Sequence, residues 1–187
     1  MWHRTAESTL EFASPGRAPF HLEFEMVCFA PAERVFDVLT DDREFHEWLE
    51  PLVEVRWSTP APHGVGSKRE VVMDNLAPAG RGRADKVTSL RVKETILAWD
   101  RGRRFAFSID ALTLPLVKQM VEDIQLERID AKRTRLTYRV HYRPTLLMRA
   151  IHPIAREFFG KMFRDAVRNI ARISARTDAV APQVARA

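Results

Sequence analysis

Several ionisable or hydroxyl-bearing residues stand where strand patterning calls for apolar ones. Glu94 lies between Val92 and Ile96, Arg69 shares parity with Val71 and Met73, and Glu122 shares it with Ile124 and Leu126. Tyr138 and Tyr142 fall on the same face as Leu136 and Val140. Burying such groups is costly unless they find partners. A carboxylate, a guanidinium and a phenol on one buried face can orient the polar group of a ligand or move protons. Glu94, Arg69 and Tyr138 are therefore the candidates for acid–base work. The same side chains could instead form a structural ion pair or reach water at strand ends, Glu122 above all.

Other chemistries have less support. His46, His63, His141 and His152 lack ligand spacing and fall on separate elements, so no metal is expected. His141 shares parity with Arg139 and Arg143 and reads as facing outward. Cys28 lies mid-strand without a base partner and reads as a small core residue. No Ser/His/Asp arrangement is legible. Gly80 to Arg83 reads GRGR but lacks the frame of a phosphate loop. No cofactor is expected.

The elements that must position these residues follow from periodicity. FHLEFEMVCF alternates from Phe20, a strand with one buried face. Pro31 opens a helical pattern through Val35, Phe36, Val38 and Leu39, and Thr40-Asp41-Asp42 offers capping oxygens to a second short helix ending near Trp48. About six strands follow. Val53, Val55 and Trp57 alternate; HGVGS turns into KREVVM; residues 74–86 read as a mobile loop; VTSLRVKETILAW, RRFAFSID, VEDIQLERI and RTRLTYRVHYR are strands. Asp100-Arg101-Gly102 reads as a tight hairpin turn, Asp130-Ala131-Lys132 as another turn, and ALTLPLVKQ as a loop. From 145 to about 175 an apolar helical stripe runs opposite Arg149, Arg156, Lys161, Arg164, Arg168 and Arg172, with a bend expected at Pro153.

Strands joined by short turns make an antiparallel sheet, and its apolar face needs a cover. The long last helix is the element large enough to supply one. A twisted sheet curves, so a straight helix laid on it leaves a cavity. Alternation places Phe24, Met26, Val55, Val71, Met73, Val92, Ile96, Phe105, Phe107, Ile124, Leu126, Tyr138 and Tyr142 on the cavity face. Phe158, Phe159, Met162 and Phe163 face them from the helix.

Length and composition agree with one domain. The chain has 187 residues, with 45% hydrophobic and 29% charged, which excludes a disordered chain or a membrane bundle. Residues 1–18 and 176–187 are expected to be flexible, flanking a domain over 19–175. The first residues carry no apolar run of a secretory signal, and no stretch approaches ~20 consecutive apolar residues. A cytoplasmic location is the expectation. The net charge of +5 is uneven: residues 1–130 hold 17 basic and 22 acidic residues, residues 131–187 hold 13 and 3. The basic excess lies away from the expected cavity. It suggests transient contact with an anionic membrane rather than a nucleic-acid partner.

The combination of APAERVFDVLTD, FHEWLEP, GVGSKREVVM, KETILAWDRGRRFAFSI and TRLTYRVHYRP with an aromatic last helix resembles the START-like (helix-grip) superfamily. Within it the likeness is to the polyketide cyclase/dehydrase and lipid transport group, over roughly residues 20 to 172. The resemblance implies an α+β helix-grip fold: a curved antiparallel sheet wrapped around a long C-terminal helix, with two short helices after the first strand. It also implies a cavity for a lipid- or polyketide-like molecule, in a binder or in a cyclase/dehydratase-type enzyme; no catalytic motif travels with the fold. On this reading the ligand-lining residues are Trp48, Arg69, Met73, Val92, Glu94, Phe105, Phe107, Ile124, Tyr138, Tyr142, Phe158, Phe159 and Met162. Oligomeric state is left open.

Overall fold

The computed structural model describes residues 1–73, 89–150 and 152–176, without the side chains of 152–155 and 158. The loop expected at 74–86 and all but the first residue of the expected C-terminal tail lie outside the described residues. The elements are β1 (His3–Arg4), β2 (Phe20–Cys28), α1 (Ala32–Thr40), α2 (Asp42–Trp48), β3 (Leu52–Trp57), β4 (Lys68–Met73), β5 (Leu90–Asp100), β6 (Arg104–Leu112), β7 (Val117–Asp130), β8 (Arg133–Pro144), α3 (Leu146–Ala150) and α4 (His152–Ser174). All strand pairings are antiparallel, in the order β2-β8-β7-β6-β5-β4-β3, with β1 added beside β6. This is the helix-grip arrangement that the sequence implied.

Local chemistry sets the element ends. Asp41 caps α2, its Oδ1 accepting from Arg43 N–H at 2.8 Å. Gly102, at φ +77°, supplies the left-handed residue of the β5–β6 turn. Asp130 Oδ1 accepts from Lys132 N–H at 2.9 Å and tightens the β7–β8 turn. Pro153 belongs to α4, and residue 151, between α3 and α4, lies outside the described residues, as does any bend expected there.

The core is densest at one end of the sheet. There α1 packs on β6, β7 and β8, and α4 packs on β2, α1 and α2. A register shift between Ile96 and Ala98 lets Trp99 pack edge-on against Phe36 and Phe105, at 5.8 and 5.4 Å between ring centroids. Phe163 on α4 meets Phe24 at 6.2 Å and Tyr138 at 5.5 Å.

Three sequence expectations differ from the structure. The N-terminal segment, expected to be flexible, is tied down: β1 pairs with β6, Thr5 N–H donates to Asp110 O and Ala6 N–H to Lys118 O. These residues bridge β6 and β7 where those strands no longer pair, beyond Ser108 and Val121. Phe12 is buried, with the Arg143 guanidinium 5.9 Å from its ring. ALTLPLVKQ is not one loop; its two ends belong to β6 and β7. His141 lies on the outer face of the sheet, as expected, and is buried there, stacked 6.2 Å from His21 on the paired strand. In β3 a register shift between Leu52 and Glu54 breaks the expected alternation, leaving Val53 exposed while Val55 and Trp57 are half-buried.

Candidate functional site

Sheet, α2 and α4 enclose a cavity of about 110 Å³. Val71, Val92, Phe107 and Val140 line it from the sheet, Phe45 and Trp48 from α2 with Leu49 just after it, and Phe159, Met162 and Phe163 from α4. It extends toward the end of the sheet formed by Met73, Leu112, Val117 and Pro144, where Met148 and Arg156 complete the wall. Trp48 is held by a hydrogen bond from its Nε1 to Val38 O at 3.1 Å and stacks on Phe45 at 4.5 Å.

A polar cluster interrupts this apolar wall. Arg69 and Glu94 face each other across β4 and β5, and Arg69 Nε donates to Glu94 Oε2 at 2.6 Å. Both are buried, at 2% and 5% exposure. The guanidinium stands over four rings: Phe45 at 4.8 Å, Phe107 at 5.2 Å, Trp57 at 5.4 Å and Phe105 at 5.7 Å. An aromatic cage of this kind favours the cation where water is scarce. Burial pushes the Glu94 carboxyl above its ordinary range, while the charge and hydrogen bond of Arg69 pull the other way.

Glu122 is the second carboxyl. Tyr138 pairs with Ile124, so its diagonal neighbour on β7 is Glu122, and the Tyr138 hydroxyl donates to Glu122 Oε2. Burial raises the Glu122 carboxyl to about 8; the Tyr138 hydrogen bond opposes this rise, and the nearby Glu94 charge adds to it. Burial likewise pushes the Tyr138 hydroxyl well above 10, with the Glu122 charge adding to the effect. At neutral pH Glu122 is thus a carboxylic acid. Oε2 accepts from the tyrosine, which leaves the proton to Oε1. The cluster amounts to an ion pair beside a neutral acid–phenol pair.

The residues expected from sequence divide into two groups. Trp48, Met73, Val92, Glu94, Phe107, Tyr138, Tyr142, Phe159 and Met162 line the cavity. Arg69, Phe105 and Ile124 are not on its wall. Arg69 is drawn back into its cage by Glu94 and the rings. Phe105 and Ile124 are paired neighbours in the part of the sheet that α1 covers, where they fill the core instead. The side chain of Phe158 lies outside the described residues. Of the three acid–base candidates, Arg69 and Glu94 touch each other, whereas Tyr138 is bonded to Glu122. Sequence reasoning left out several lining residues. Leu22 and Val140 had the right parity and could have been found. Phe45, Leu49 and Met148 come from helices, or for Leu49 the end of one, whose orientation no strand pattern encodes. Arg156, placed on the polar face of the helix, lies at the cavity wall while remaining exposed. Cys28 is fully buried, and burial raises its thiol to about 12, so it is no nucleophile.

Comparison with known proteins now bears on this geometry. Residues 19–175 match the model of the family described as polyketide cyclase/dehydrase and lipid transport. An uncharacterised protein of Mycobacterium tuberculosis is 27% identical over 97 residues, which cover 52% of this chain and 50% of that protein. The chain thus spans about half the length of the curated relatives it matches. Among solved structures, the Zhui aromatase/cyclase of a Streptomyces species superposes with a TM-score of 0.64 at 18% identity, covering 84% of this chain and 96% of that one. The major latex-like protein of Panax ginseng gives 0.60 at 10% identity, covering 84% and 98%. At these identities the likeness is one of fold.

Proposed function

The chain belongs to the polyketide cyclase/dehydrase and lipid transport family, and on that premise we propose that it binds a small hydrophobic or amphipathic molecule, lipid- or polyketide-like, between the sheet and α4. The observation that carries this reading is the cavity wall. It is built from aliphatic, aromatic and methionine side chains, with a few polar groups converging at Glu94, Glu122 and Tyr138. A concave apolar site with a small number of placed polar groups is the usual form of a small-molecule site. Filling the cavity tests it. Val140 is buried on the wall, and Val140→Trp puts an indole into the space. Titration with the neutral fluorophore N-phenyl-1-naphthylamine is expected to give saturable binding to the wild type and at least tenfold weaker binding to a folded Val140→Trp. Equal affinity in the two proteins would refute the reading.

The neutral Glu122 acid favours one second reading, a cyclase/dehydratase-type enzyme acting on a polyketide-like substrate in the same cavity. A carboxylic acid with its proton held near neutrality is suited to general acid–base catalysis. On this reading Glu122→Gln lowers kcat on an identified substrate by about 10²-fold or more. Unchanged turnover would leave the cluster a binding device only.

A further inference from the structure

The two ends of the cavity differ in charge chemistry. At the inner end stand two carboxyls, Glu94 and Glu122, and the one cation near them among the described residues, Arg69, is already bonded to Glu94 and withdrawn from the wall. An anion entering here would be desolvated next to acidic groups with no cation among the described residues free to meet it. Glu122 is more than nine-tenths buried and lines the cavity. Its Oε2 is taken by Tyr138, and Oε1 has no hydrogen-bond partner among the described residues. A hydroxyl or carbonyl oxygen can accept from this acid, and a hydroxyl can also donate to the cluster.

At the opposite end the wall is completed by Arg156. Its positive charge is felt by Tyr142, whose hydroxyl burial pushes up and Arg156 pulls back. Among the described residues no carboxylate lies within ion-pairing distance of Arg156, whereas Lys161, Arg164 and Arg168 on the same helix each hold one. Tyr138 and Tyr142 are four residues apart on β8, about 13 Å of strand. Glu122 stands level with Val140, two residues from Tyr142, so the neutral oxygen-binding end and the cationic end lie about 7–13 Å apart along the strand.

We infer that the cavity takes its ligand end-on. A neutral oxygen, hydroxyl or carbonyl, lies against Glu122 and Tyr138; an apolar body lies along β8 and α4; an anionic group lies at Arg156. This rests on the binding reading above and adds a polarity to the ligand. The anion can be a carboxylate or a phosphate.

Competition against N-phenyl-1-naphthylamine tests the assignment with four chain-matched probes: dodecanol, dodecanoic acid, ω-hydroxydodecanoic acid and dodecanedioic acid. In the wild type ω-hydroxydodecanoic acid is expected to outcompete the diacid at least tenfold at pH 7, because the diacid must bury a carboxylate at the inner end. Arg156→Gln is expected to shift the preference between dodecanoic acid and dodecanol several-fold toward the alcohol. Glu122→Leu is expected to cost ω-hydroxydodecanoic acid at least tenfold relative to dodecanoic acid, with Glu122→Gln, which keeps a donor and an acceptor, retaining most of the preference. A diacid that binds as well as the hydroxy acid overturns the polarity, and so does an Arg156→Gln protein with an unchanged acid-to-alcohol ratio. The wild-type series decides the inner end even where a variant fails to fold. If the fluorophore binds and the four probes compete alike, the end-on assignment alone is wrong. If neither fluorophore nor probe binds, the binding reading fails with it.

Discussion

At the scale of the residue, the decisive feature is a carboxyl kept neutral by burial. Glu122 goes from an ordinary value of 4.5 to about 8 in the folded protein. The folded state therefore holds a proton that the unfolded chain has released between those values. The stabilisation this brings is complete below about pH 4.5 and is lost as pH rises through about 8. Urea unfolding between pH 5 and 8 should show a falling contribution, amounting to a few kcal/mol across the window, and Glu122→Gln should flatten it. An unchanged slope in the variant would mean that Glu122 titrates normally. The Arg69–Glu94 pair makes a separate prediction. Removing one partner leaves the other charge buried and alone, so Arg69→Leu should cost about 3–5 kcal/mol. The double variant Arg69→Leu/Glu94→Leu should recover much of that loss; denaturant midpoints would register the difference. The sequence made both carboxyls visible as acidic residues on apolar strand faces. It suggested the Arg69–Glu94 pair but not the partner of Glu122, because the bond from Tyr138 to Glu122 is set by the β7–β8 register, which no single strand carries.

At the scale of the element, the period of two in the strands and the stripe of the last helix were enough to predict the sheet and its cover, and the helical pattern after Pro31 with the capping oxygens at 40–42 predicted the two short helices. Where prediction failed, backbone irregularity or long-range pairing was responsible. Register shifts in β3 and β5 turned Val53 outward and let Trp99 pack against Phe36 and Phe105. The first residues look polar and loose but find a bonding edge between β6 and β7 that only the assembled sheet creates. Phe105 and Ile124 carry the parity of lining residues, yet α1 covers their part of the sheet, and parity does not say how far a helix reaches. The capping geometry at α2 is local and was legible. Asp41→Ala should destabilise by about 1 kcal/mol through loss of that cap, measured as a drop in denaturant midpoint at constant m-value; no change would mean that α2 is held by packing of Phe45 and Trp48 alone.

At the scale of the whole molecule, one end of the sheet is packed solid under α1 while the space beneath α4 toward the other end stays open. The basic excess after residue 130 does not mark the working site as such. Part of it is answered on the helix itself, by Asp165 and Glu157, and among the described residues Arg156 is the member that reaches the cavity wall. The proposed role is that of a container for a small amphipathic molecule, and the most direct test is to ask whether the protein carries one. Native mass spectrometry of protein purified gently from its own host should find, for the wild type, a mass above that of the bare chain, lost on denaturation and diminished in Val140→Trp. A wild-type protein that shows the bare mass alone, and that gains none on incubation with the naphthylamine fluorophore, would contradict the account.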